Sequence, residues 1–224
     1  MVRLGTAADA AAAARLHAEL ISEGFLAHLG PRFLRHLYRC VARGPDSFLL
    51  IADGRAGSGI SGSGISGSDI APVAGFLAGA LDLRALYRRF ALHQGIIAAV
   101  SSLPRLLTAF PRVWETLRHG VGGHGVGGHG VGGHGVGAEG SDDPTGAELL
   151  SIAVDPGWQG RHVGVLLVEG FLAEVERRGM AVSQVVVGAD NAPAVALYGR
   201  AGFRQVRTFE LHRGTTSLLM RRPG

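Results

Sequence analysis

The sequence predicts an α/β chain built on a mixed sheet, and three observations predict it. Short apolar runs of strand length recur from residue 2 to residue 220, with helix-period amphipathic segments between them. One of those runs, Glu148 to Val154, leads through a turn and a Gly-rich loop straight into a helix, the order of a βα unit. The 46% apolar and 18% charged fractions are those of a globular chain, and 224 residues suffice for one domain with a real core, including insertions.

Taken in order, Val2 to Leu4 reads as a strand and about Ala7 to Leu20 as a helix, with Thr6 and Asp9 three residues apart as its N-terminal signal. Pro31 to Arg43 reads as a second helix. Ser47 to Ala52 and Val73 to Leu81 read as two strands of a hairpin with a lengthened turn. Leu83 to Leu117 is helical in composition, broken by Pro104 and Pro111. Glu148 to Val154 is nearly continuous in apolar residues, as expected of a strand buried on both faces. Gly164 to Arg178 is an amphipathic helix, with Val163, Leu166, Leu167, Phe171 and Val175 at helical spacing and Gly179 closing it. Val182 to Val187 reads as a strand and Pro193 to Arg200 as a short helix with proline in its first turn; Arg204 to Leu211 and Ser217 to Met220 read as two last strands.

Two low-complexity stretches interrupt this order. Gly57 to Ser68 repeats Gly-Ser-Gly-Ile-Ser, and His119 to Gly137, within a Gly/His-rich loop spanning 119–140, repeats His-Gly-Val-Gly-Gly. Units of five residues are too short for a solenoid and too rich in glycine for a core, so both read as loop expansions. The helical segment 83–118 between them reads as an insertion, so that 1–224 forms one domain. Its six arginines favour a solvated basic face over a lid or docking surface.

The 22 basic residues are all arginine, against 18 acidic ones, and the net charge is +4. A phosphorylated small molecule satisfies that charge as well as nucleic acid does, and no basic cluster favours nucleic acid. A single cysteine, Cys40, excludes an intramolecular disulfide framework and fits a cytoplasmic location. The most apolar later run, Gly95 to Leu103, is far short of the roughly 20 residues needed to span a bilayer, so no transmembrane segment is expected. His119, His124, His129 and His134 lie on glycine with no preorganised geometry, and no metal site is expected. Gly120 to Gly125 spells Gly-x-Gly-x-x-Gly, but it neither follows a strand nor opens a helix.

The chemistry concentrates in the loop Gln159-Gly160-Arg161-His162-Val163-Gly164. Glycines allow close backbone approach, and the first amides of a helix have no internal partner, which together make a phosphate site. The loop resembles the acyl-CoA signature Arg/Gln-x-x-Gly-x-Gly/Ala of the GNAT superfamily of N-acetyltransferases, with His162 where the middle glycine is usual. Asp190 to Phe203 resembles the superfamily's Asn-x-x-Ala-x-x-Leu-Tyr-x-x-x-Gly-Phe pattern at every named place.

The resemblance implies a mostly antiparallel central sheet flanked by helices, acetyl-CoA as co-substrate and a primary amine as acceptor. It implies that residues 159 to 164 hold the pyrophosphate, that backbone groups of Ile152, Ala153 and Val154 pair with the pantetheine, and that Asn191 holds that arm or the loop. It further implies that Tyr198 protonates the leaving thiolate. For the base, the resemblance offers a glutamate on the strand before the loop, Glu148, or one on the following strand, where this chain has Val186. Glu148 lies six residues before Val154, so both point to the same face of that strand. A non-catalytic acyl-CoA sensor or scaffold is the alternative, and a homodimer is compatible with the sequence without being required by it.

Overall fold

The computed structural model describes residues 1–21, 30–54, 72–92, 146–212 and 215–224. Its seven strands are β1 (Val2–Leu4), β2 (Ser47–Asp53), β3 (Val73–Ala80), β4 (Ala147–Val154), β5 (Val182–Gly188), β6 (Arg204–His212) and β7 (Thr215–Pro223). Its helices are α1 (Ala10–Leu20), α2 (Gly30–Arg43), α3 (83–92), α4 (Val163–Arg177) and α5 (Ala192–Arg200). The strands form one sheet in the order β1-β2-β3-β4-β5-β7-β6. Every neighbouring pair is antiparallel except β4 and β5, which is the mixed, mostly antiparallel sheet expected.

Alternation along the hairpin β2–β3 divides the core into two layers. Phe48, Leu50 and Leu77 face α4, where Leu167, Phe171 and Val175 close over them. Leu49, Ile51 and Phe76 face the other way, against Ala13, Leu16, Leu34, Tyr38 and Leu86 of α1, α2 and α3. Phe48 stacks on Phe171 at 5.7 Å between ring centres, and Tyr38 meets Phe76 edge to face at 5.1 Å.

Several sequence expectations are refined. The Thr6–Asp9 signal forms: the Asp9 carboxylate accepts from the Thr6 amide at 2.7 Å, but this closes a turn and the helix starts only at Ala10. On α4, Leu166 is 46% exposed and Val168 takes the buried place instead. The strands sealed on both faces are β2 and β3; β4 is only part-buried along most of its length, contrary to its apolar composition. Its partner on the β5 side is missing over half its length, so that side has no sheet to be buried in. The His-rich tract, both Gly-rich stretches and the insertion beyond residue 92 lie outside the described residues.

Candidate functional site

The site is a gap in the sheet. β4 and β5 pair only through Ala147, Glu148 and Leu149, opposite Ser183, Gln184 and Val185. Beyond that rung β4 follows β3 and β5 follows β7, so the two strands diverge toward the C-terminal end of β4. A bulge sits at the point of divergence: Ala78 faces Ser151 and the adjacent Gly79 faces Leu149, leaving Leu150 as the extra residue. An extra residue increases local twist and bends its strand, which accounts for the parting.

Alternation decides which backbone groups the gap can use. The Asp155 amide donates to the Ala74 carbonyl at 2.9 Å, so β4 turns the N–H and C=O of Ala153 toward β3 and those of Ile152 and Val154 toward the gap. Of the three residues expected to pair with an extended ligand, only Ile152 and Val154 can. The Gln159 side chain donates to the Val154 carbonyl at 3.2 Å and covers the mouth of the gap.

The bulge also corrects the parity inferred from spacing. Ala147 and Leu149 belong to the α4-side layer, so Glu148 between them faces α1, α2 and α3. Ile152 and Val154 pack against the α4-side layer. Glu148 and Val154 therefore point to opposite faces, because one inserted residue reverses the alternation between them.

At the open end, Asp155 caps the short turn Pro156–Trp158 by accepting from the Gly157 amide at 3.0 Å. Gly160 then takes φ +73° and His162 φ +62°, and α4 starts at Val163. His162 has the only positive φ among the described non-glycine residues. Its place is one where the family pattern has glycine, and the reason is now visible: the chain must pass through the left-handed region there. Histidine is among the side chains that enter this region more readily than most. The first helical bond runs from the Leu166 amide to the His162 carbonyl at 3.0 Å, so the amides of Val163, Gly164 and Val165 have no partner within the helix. The Arg161 guanidinium lies over the Trp158 ring at 5.1 Å, which holds its charge beside those amides. A Cβ at Gly164 would meet Leu197 at 3.5 Å and Val154 at 3.9 Å, ordinary contact that admits alanine and little more.

The second motif is mostly architecture. The Asn191 side-chain oxygen caps α5 by accepting from the Ala194 amide at 3.2 Å, which leaves only its NH₂ to offer a ligand. Leu197 packs by Gly164, Gly202 takes φ +91°, and Phe203 is buried beside Tyr198 with ring centres 5.9 Å apart. Tyr198 is 3% exposed and its hydroxyl has no hydrogen-bond partner among the described residues. Burial pushes its pKa up, so it is a proton donor and not a phenolate.

At the closed end, Glu148 is part-buried, and burial raises its carboxyl pKa against a lowering hydrogen bond from Gln184. The Gln184 NH₂ donates to Glu148 Oε2 at 3.2 Å, and Arg221 Nε donates to Gln184 Oε1 at 3.3 Å. Tyr87 of α3 is 47% exposed and lies near enough to Glu148 for the two to interact electrostatically. Val186, two residues beyond Gln184 on the same face of β5, is 39% exposed and supplies no carboxylate.

Across the bulge, the Ser151 and Tyr38 hydroxyls are 2.9 Å apart, and the Tyr38 hydroxyl is 2.6 Å from His17 Nδ1. His17 is 2% exposed, its Nε2 has no partner among the described residues, and burial lowers its pKa. The sequence reading did not single out Gln184, Arg221, Ser151, Tyr38 or His17. Gln184 carried one signal, a polar side chain inside an apolar strand; the rest have none that is local. Among the described residues no cluster of three His, Cys, Asp or Glu side chains is placed to hold a metal ion, and no helix is long and apolar enough to cross a membrane. Cys40 is buried.

A profile of the acetyltransferase (GNAT) family matches residues 111–203. The [ribosomal protein bS18]-alanine N-acetyltransferase of Escherichia coli K12 is 44% identical over 59 residues, which are 26% of this chain and 40% of that protein. The mycothiol acetyltransferase of Clavibacter michiganensis is 43% identical over 58 residues, 26% of this chain and 19% of that protein. The matched stretch thus spans less than half the length of either relative. A GCN5-related N-acetyltransferase structure from Kribbella flavida superposes on 100% of this chain and 97% of its own at TM-score 0.58 and 18% identity, a likeness of fold. Both sequence motifs stand on the loop, helix and parted strands just described, and both lie inside the stretch that matches the GNAT acetyltransferase family profile.

Proposed function

We propose that the chain is an N-acetyltransferase that moves the acetyl group of acetyl-CoA to a primary amine. The observation that carries this reading is the gap itself, which has amides without helix partners at its open end and a part-buried carboxylate on the rung that closes it. An extended chain bearing amides and ending in a pyrophosphate fits these groups: Ile152 and Val154 offer it a strand edge, and the amides of Val163, Gly164 and Val165 face its anionic end with Gly160, Arg161 and His162 around them. Asn191 offers its NH₂ to the same ligand.

When bound, acetyl-CoA supplies an activated thioester. The residues of the chain supply the proton transfers. An amine is mostly protonated at neutral pH, and Glu148, whose carboxyl pKa is raised by burial, removes its proton directly or through water. The Tyr198 hydroxyl, kept protonated by burial, gives its proton to the departing sulfur. The acceptor approaches from the face of α1, α2 and α3, because Glu148 looks that way.

The test is thiol release from acetyl-CoA across a panel of amines: a peptide with an N-terminal alanine, as the bS18 enzyme's name suggests, amino sugars and polyamines. One class should be turned over, and Glu148→Gln and Tyr198→Phe should each abolish most of that turnover. Binding of CoA without turnover of any amine would leave a non-catalytic binding module instead.

A further inference from the structure

Glu148 ends a row of three side chains laid across three adjacent strands. Register makes Gln184 its direct neighbour on β5 and Arg221 the direct neighbour of Gln184 on β7. An ionised carboxylate only accepts hydrogen bonds and a guanidinium only donates them, so an amide between the two has one satisfactory orientation. Its oxygen must meet Arg221 and its NH₂ must meet Glu148, which are the contacts found. Turned over, the amide would set oxygen against carboxylate and NH₂ against guanidinium. Because Gln184 is almost fully buried, water does not offer substitutes for either contact.

We propose that Gln184, locked by Arg221, is the positioning residue for Glu148: it anchors Oε2 and leaves Oε1 as the atom that takes the proton from the acceptor amine. Oε1 accepts from no described residue. The proposal rests on the reading of Glu148 as the base, and extends the site to two residues outside both family motifs. Its consequence for titration has a definite sign. The Gln184 bond favours the ionised carboxylate, so its loss makes Glu148 hold its proton to higher pH. Among the described residues, the charged or titratable groups beside this row on the same face include Tyr87 of α3, Arg221 with Arg204 directly opposite it and Arg207 next on that face of β6, and, across the bulge, Tyr38 and His17; Ala80, which faces Glu148 from β3, carries none.

The experiment is a side-chain carbon NMR titration of glutamate-labelled, ligand-free protein, with the Glu148 signal assigned by its loss in Glu148→Gln. In Gln184→Met the Glu148 midpoint should move to higher pH, and in Arg221→Met it should move the same way by less, because the released amide samples both orientations. The acid limb of kcat/KM should follow the midpoint, with a loss of roughly 10- to 100-fold below it and an unchanged KM for acetyl-CoA. A midpoint that stays put in a folded Gln184→Met protein overturns the proposal. Should that variant not fold, an unmoved midpoint in Arg221→Met, which keeps Gln184, overturns it equally. A midpoint that moves while the acid limb does not follow upholds the Gln184 contact and removes Glu148 from the role of base, which separates this inference from the function it rests on.

Discussion

The two ends of the β4–β5 gap are made of different material. The open end is mainly backbone: three amides without a partner in the helix and two residues at positive φ. The closed end is side chain: Glu148, Gln184 and Arg221 along the sheet, and Ser151, Tyr38 and His17 running out of it through two helices. A backbone site recognises a feature common to every acyl-CoA and tolerates substitution wherever the path of the chain is kept. A side-chain site depends on each polar atom having its partner in a poorly solvated place, so single substitutions there are expensive.

The largest expected effect is therefore at Glu148. Loss of a general base removes about 10²- to 10⁴-fold in rate, which Glu148→Gln should show in kcat/KM for whichever amine is turned over. The same change should raise stability at neutral pH. A carboxyl whose pKa is raised on folding binds its proton more tightly in the folded state, so stability falls as pH climbs above the unfolded value and through the folded one. Removing the charge removes that cost. A Glu148→Gln protein that melts lower than the parent at pH 7 would contradict the picture of a part-buried carboxylate whose charge is disfavoured by desolvation.

The neutral row should behave in the opposite way. Tyr38→Phe takes from the buried His17 Nδ1 its partner among the described residues, at a cost of about 1–3 kcal/mol. For a chain of this size that is roughly a 2–4 °C fall in Tm per kcal/mol, read by calorimetry, with transfer rates changed far less than in Glu148→Gln. If Tyr38→Phe instead abolished transfer at an unchanged Tm, the row would belong to the chemistry and the contrast between the two rows would fail.

His17 adds a pH signature. Its pKa is lowered by burial, so the folded state resists protonation; its contribution is complete above the unfolded value near 6.5 and is lost as pH falls from there toward the depressed folded value. Melting temperatures between pH 7 and pH 5 should fall for the parent and fall less for His17→Gln. Equal slopes for the two proteins would mean that His17 is charged or solvated in the folded state.

The same contrast explains what the sequence could disclose. The loop 159–164 and the segment 190–203 act through local geometry, so their residues stand at fixed spacings and can be read directly; even Asn191, Gly202 and Phe203 are capping, turning and packing residues of one short helix. The strands and helices were legible for the same reason. The closed end was not. A bulge is a single extra residue with no compositional mark, and Leu150 looks like any strand residue, yet it reverses the face on which Glu148 lies. Tyr38 and Ser151 are 113 residues apart and Gln184 and Glu148 are 36 apart, so neither pairing leaves a trace in local pattern. Even the partial exposure of β4, which its apolar run argues against, follows from a strand partner that departs midway.

The smallest expected effect lies at the open end, at His162. A left-handed conformation costs a non-glycine residue roughly 1–2 kcal/mol, and glycine recovers that at a penalty of roughly 0.5–1 kcal/mol in chain entropy. His162→Gly should thus be neutral to slightly stabilising, while His162→Val, β-branched and worse suited to φ +62°, should destabilise. If the open end works through its backbone, the glycine variant binds acetyl-CoA as the parent does and the valine variant binds more weakly, both measured by titration calorimetry. A tenfold loss of affinity in His162→Gly would mean that the imidazole itself meets the pyrophosphate. The open end would then share the side-chain character of the closed one, and the departure from the family's glycine would be a gain of contact and not merely a tolerated strain.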